Sequence, residues 1–74
     1  MVTLKDLRKD VGLTQQDLAN LVSKVVPVSR ATVATWENNN VCPEFPIIKR
    51  LSEILVLPIE EIYAIFYPKN VEAK

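Results

Sequence analysis

Five prolines, at positions 27, 43, 46, 58 and 68, and a lone glycine at position 12 cut this chain into short apolar stretches. Proline has no amide to donate, and its ring clashes with the preceding turn of a helix, at a cost of about 3 kcal/mol in a helix interior. No long helix can therefore run through the chain, and each stretch between breakers must stand as its own element. Within the stretches the apolar residues recur three and four apart, the period of one helical face. Leu4, Leu7 and Val11 make the first stripe, with Thr3 as its N-cap and Gly12 as its stop. Thr14 caps a second helix, and Asp17 stands where a carboxylate reaches back to close a capping box. Its stripe is Leu18, Leu21, Val22 and Val25, and Pro27 is expected to end it. Ser29 caps a third helix, which stops among Asn38, Asn39 and Asn40. Pro46 suits the first turn of a fourth, with Ile47, Ile48, Leu51, Ile54 and Leu55 on its apolar face. Pro58 opens a fifth, where Glu60 and Glu61 favour the positive end of the helix dipole. Ile59, Ile62, Tyr63 and Phe66 form its buried side, and Pro68 closes it. No stretch alternates with strand period over a useful length, so the expected fold is all-α.

At 74 residues, 49% of them hydrophobic, the chain can enclose one small core but hardly a substrate cleft as well. It contains no histidine, no cysteine pair and no glycine-rich loop to cradle a phosphate. No enzyme, metal, cofactor or small-molecule ligand is expected. No run approaches a membrane span and the start does not read as a signal peptide. The single cysteine, Cys42, cannot form an internal disulfide, which fits a reducing, cytoplasmic setting. Nine basic and nine acidic residues cancel. Up to Trp36, however, five basic residues face three acids, and from Glu37 onward four face six. The first half is thus mildly basic, too weakly for charge alone to identify a partner.

The third stretch, "SRATVATWENNN", is the most informative. Val33 and Trp36 lie three apart on what must be its buried side. Arg30, Ala31, Thr35 and Asn38 fall on the other side, in a helix built from threonine, valine and asparagine, all mediocre helix formers. Read alone, that outward face is most simply a solvated surface.

Three segments in order change this reading. "GLTQQDLANLV" (12–22), "VSRATVATWENN" (28–39) with Trp36 followed by Glu37, and "LSEILVLPIEEI" (51–62) together resemble the phage-repressor-like helix-turn-helix family, the group of lambda repressor and Cro. The resemblance spans about Leu4 to Phe66. It implies a compact five-helix, lambda-repressor-like domain over residues 1–67, with the helix-turn-helix made by the second and third helices, and a short tail over 68–74. The sequence departs from the family in four places. "SKVVP" (23–27) lengthens the connection between the two helices by roughly one turn, so either the second helix runs on or the turn is enlarged. Asn39 and Val56 stand where the family favours glycine, and a β-branched Val56 is expected to resist a left-handed cap. Pro58 replaces a capping serine.

By the same resemblance, the third helix enters the major groove of double-stranded DNA. Arg30 would pair with guanine, the methyls of Ala31 and Thr35 would meet thymine, and Asn38 would reach base edges or phosphate. Ser29, at the head of that helix, joins the DNA-binding set. Thr14 and Gln15 would offer a phosphate the start of the second helix, with Gln15 also bracing residue 30, whereas Gln16 is simply solvated. Asn40 would bond phosphate from the following loop, while Asn39 serves to stop the helix. Lys24 or Lys49 would add backbone grip. Glu37 is expected to form an internal ion pair with Arg8, which takes both residues away from DNA. Trp36, Tyr63 and Phe66 read as core or interface aromatics. Ile62, Ile65, Phe66 and Tyr67 make the last helix richer than one buried face requires, so a homodimer contact is expected there. The implied function is a transcriptional regulator, a repressor of phage or prophage type, that occupies a palindromic operator as a dimer. The alternative is a protein-interaction module on the same fold, an antitoxin or partner-binding regulator with little DNA affinity.

Overall fold

The computed structural model describes residues 2–67, which form five helices: α1 (Leu4–Asp10), α2 (Gln15–Val22), α3 (Arg30–Asn39), α4 (Phe45–Leu55) and α5 (Ile59–Phe66). No strand occurs among the described residues. The tail expected over 68–74, and Pro68 as the stop of the last helix, lie outside them.

The capping box expected at Thr14 is present, and the Thr3 cap proves to be a second one. The Thr3 hydroxyl accepts from the Asp6 amide while the Asp6 carboxylate accepts from Thr3, and Thr14 and Asp17 repeat the pattern. The Thr3 and Thr14 amides, helped by the two threonine hydroxyls, hold the Asp6 and Asp17 carboxyls below their ordinary value. At the end of α1, Gly12 takes φ 76, a conformation that costs glycine little. A Cβ there would meet nothing within 4 Å, so the dihedral rather than space demands glycine. The helix itself ends at Asp10, one residue before the expected stripe does. Val11 is therefore the exposed C-cap of α1, not part of its buried face.

A larger correction concerns α2. The helix stops at Val22 rather than reaching Pro27, and Val25, expected on its apolar face, is exposed. Pro27 biases Val26 toward extended backbone, and two consecutive β-branched valines add little helix propensity to oppose that. The inserted residues form an enlarged turn closed by one side chain. The Ser23 hydroxyl accepts from the Val28 amide and donates to the Val28 carbonyl, each at 3.0 Å. Val26 and Val28 pack against the core, so the turn is anchored by apolar contact as well.

α3 begins as expected, with the Ser29 hydroxyl accepting from the Thr32 amide at 3.2 Å. It ends among the asparagines as expected, with Asn40 rather than Asn39 in the left-handed conformation at φ 53. α4 starts at Phe45 with Pro46 in its first turn and ends at Val56, which adopts φ 56 and ψ 51 despite its β-branch. The closure around it explains why. The Val56 and Leu57 amides both reach the Ser52 carbonyl, and the Ser52 hydroxyl donates to the Leu57 carbonyl. Leu57 packs on the core while the Val56 side chain stands 84% exposed, so tertiary anchoring on one side overrides local preference on the other. Pro58 then serves as N-cap of α5 without a side-chain hydrogen bond.

The core is built from Leu4 of α1, Leu18, Ala19 and Val22 of α2, Val33 and Trp36 of α3, four residues of α4 and two of α5. α2 packs mainly on α3, and α4 on α5, with α2–α4 and α1–α3 contacts joining the pairs. The two α5 residues are Ile62 and Phe66. Both are interior, which corrects their placement on a dimer surface: a domain this small needs them to complete its core. Of the four expected there, Ile65 is partly buried against the core and Tyr67 is exposed.

Candidate nucleic-acid interface

The buried pair Val33 and Trp36 fixes the rotation of α3 about its axis, and Arg30, Ala31, Thr35 and Asn38 are all exposed as a result. The Thr35 hydroxyl donates back to the Ala31 carbonyl at 3.0 Å. Its proton is engaged within the helix, leaving the methyl and an acceptor lone pair for a ligand. Arg30 enters no ion pair among the described residues. The surface is thus low, with two small side chains near one long cation, which allows close approach of a flat-edged partner.

Beside this face lies an open depression of about 550 Å³ where the end of α1, the start of α2 and the start of α3 meet. Lys9, Thr14, Gln15, Gln16 and Arg30 line it, and no carboxylate does. The first amides of a helix have no intrahelical partner. Here the Thr14 hydroxyl takes the Asp17 amide, so the amides of Gln15 and Gln16 remain as donors. Two cations and two amides around one concavity suit a phosphate. Thr14 itself is engaged as a cap. Lys9 was not singled out from the sequence; its position in the last turn of α1, next to Arg8, was the available signal.

The expected Arg8–Glu37 pair is present and buried, with side-chain exposures of 8% and 1%. Arg8 Nε donates to Glu37 Oε2 at 2.7 Å and Nη2 to Oε1 at 3.3 Å, while Nη1 donates to the Leu13 carbonyl at 2.7 Å. The arginine thereby ties α1 to α3 and to the turn before α2. Gln15, expected to brace residue 30, instead donates from Nε2 to Glu37 Oε1 at 3.1 Å. Gln16 is exposed and bonds Asn20.

Of the asparagines, Asn38 and Asn39 are exposed, and Asn40 donates from Nδ2 to the Phe66 carbonyl at 3.4 Å, fastening the end of α3 to the end of α5. Ser29 is exposed with its hydroxyl engaged by the cap and by Thr32. Lys24 and Lys49 are exposed, on the enlarged turn and on α4 respectively. Sequence reasoning missed Arg50, whose Nε donates to the Leu21 carbonyl at 3.0 Å and whose Nη1 pairs with Glu53 at 3.1 Å. It supplies the cation that the last turn of α2 lacks.

Among the described residues no helix is long and apolar enough to cross a membrane. No curated protein and no solved structure matches the chain. A helix-turn-helix family model matches residues 4–62, from the first residue of α1 into α5. That span holds every helix-turn-helix feature described above, the capped α2, the turn and the outward face of α3. The chain belongs to the helix-turn-helix family, a family of DNA-binding regulators.

Proposed function

We propose that the protein is a sequence-specific repressor of phage or prophage type, acting in the cytoplasm as a homodimer on a palindromic operator. The observation that carries this reading is the outward face of α3, short-chained and singly charged, beside an acid-free depression at the start of α2. With α3 in the major groove, Arg30 at its head reads a guanine through O6 and N7, and Ala31 and the Thr35 methyl pack against thymine methyls. Asn38 serves the far end of the same face. The amides of Gln15 and Gln16, with Lys9, hold a backbone phosphate and set the depth of insertion. Thr14, Ser29 and Asn40 act at this interface mainly by shaping the helix ends.

Two copies on half-sites centred about one helical turn, roughly 34 Å, apart would block polymerase access. The zero net charge fits a protein with few phosphate contacts. Its affinity should therefore fall gently with salt, by less than the slope of about −10 known for strongly basic-faced repressors. Oligonucleotides selected from a random pool, followed by titration of the recovered duplex with wild type, Arg30→Ala and Thr35→Ala, test the reading. Loss of discrimination in the variants supports it, and no duplex binding by wild type at low salt overturns it.

A protein-interaction module on the same fold is favoured by one observation, the exposure of Val41, Phe45 and Tyr67 on a chain without net charge. A protein partner whose capture depends on Tyr67, together with absence of any duplex binding, would decide for that reading.

A further inference from the structure

Glu37 does more than neutralise Arg8. Its carboxylate is 1% exposed and accepts three hydrogen bonds, two from Arg8 and one from Gln15. We infer that Glu37 is a positioning residue of the interface, holding the Gln15 amide in the one orientation that donates to Glu37 while leaving its second N–H and its oxygen for the depression beside α3. The inference rests on the DNA-binding reading above.

An ionised carboxylate only accepts hydrogen bonds, so the glutamine must turn its nitrogen, not its oxygen, toward Glu37. The reversed amide would set two oxygen lone-pair surfaces against each other at about hydrogen-bond distance. One N–H is engaged with Glu37, and the second N–H and the amide oxygen remain for the depression that Gln15 lines with Lys9 and Arg30. A free glutamine would have several side-chain torsions to order on binding. Arg8, fixed in turn by the Leu13 carbonyl, immobilises the carboxylate that removes this freedom.

The same contact fixes helix spacing. The α2–α3 turn is enlarged at one end of the helix pair, which weakens the covalent restraint there. Gln15 is the first residue of α2 and Glu37 lies near the end of α3, so their bond clamps the other end. The phosphate-facing start of α2 and the groove-facing side of α3 are thereby held at one separation.

The test uses Gln15→Ala, the paired replacement Arg8→Met with Glu37→Leu, and all three changes together. Replacing both buried charges by apolar side chains preserves folding better than removing one. Affinity is measured for the selected duplex, with circular dichroism confirming helix content. Gln15→Ala should lose about three- to tenfold. The paired replacement should lose a similar factor, and the triple variant no more than either alone. A merely structural role for Glu37 predicts losses that multiply. Independently of any variant, nuclear magnetic resonance of the free wild type should show the Gln15 side-chain amide protons well separated and shifted from solvent-exposed values. Multiplying losses in a wild type that binds duplex, or solvent-like Gln15 amide shifts, overturn this inference alone. A wild type that binds no duplex overturns it together with the DNA-binding reading.

Discussion

Replacing Val56 by glycine is expected to stabilise the domain by about 0.5–1 kcal/mol, although the change removes a hydrophobic side chain. Val56 holds φ 56 and ψ 51 at the end of α4. For a residue with a Cβ this left-handed conformation costs roughly 1–2 kcal/mol, and a β-branch places valine toward the upper end. Glycine escapes that cost but loses about 0.5–1 kcal/mol more backbone entropy on folding. The lost burial is small, since the valine is 84% exposed. Relief of the left-handed strain, set against the added entropy loss, leaves a net gain of about 0.5–1 kcal/mol, or roughly 2–8 °C in Tm for a domain of this size. Thermal melts and urea titrations followed by far-ultraviolet circular dichroism measure it. Val56→Ala is the control: it removes the branch but keeps the left-handed cost, so it should gain less than glycine. A Val56→Gly protein equal to or less stable than wild type, or an alanine variant that matches it, would refute the argument from backbone strain.

Three further outcomes follow from the same contacts. Glu37→Ala alone leaves a buried Arg8 guanidinium unpaired and should cost about 3–5 kcal/mol in urea titration, with much of the loss recovered by adding Arg8→Met. Ser23→Ala removes both bonds to Val28 and should cost about 1 kcal/mol, with faster amide exchange confined to the enlarged turn. Asp6 and Asp17 have folded-state carboxyls below their ordinary value of 3.8. Their contribution is complete above that value and disappears as pH falls through the lower folded-state values. Stability should decline below about pH 4, and Asp6→Asn with Asp17→Asn should flatten that decline in acid titrations of Tm.

What could be read from the sequence was chiefly what is local or set by period. A capping box joins residues three apart, so Thr14 with Asp17 carries its own geometry, while at Thr3 only the cap was read and not the same spacing to Asp6. The outward face of α3 was legible as the complement of the Val33 and Trp36 stripe. The Arg8–Glu37 pair joins residues 29 apart, and only the family resemblance brought them together. Arg50 reaches the Leu21 carbonyl over the same separation without such help, and no local pattern announces it. Val11 and Val25 continued a stripe past the true end of a helix, because periodicity is blind to where the backbone turns. Val56 shows the opposite case. Valine does disfavour the left-handed region, and the Ser52–Leu57 closure prevails over that preference. Gln15 was expected to brace residue 30 and bonds Glu37 instead, a contact over 22 residues that no local pattern announces.

The most direct test of the central claim is a binding titration of wild type and Arg30→Ala against a selected duplex and a scrambled duplex, over a series of salt concentrations. The account predicts that wild type prefers the selected duplex, with a shallow salt dependence. Arg30→Ala should lose about 1–3 kcal/mol of that preference while keeping most of its weak affinity for the scrambled duplex. A wild type that binds both duplexes equally, or neither, would contradict the account.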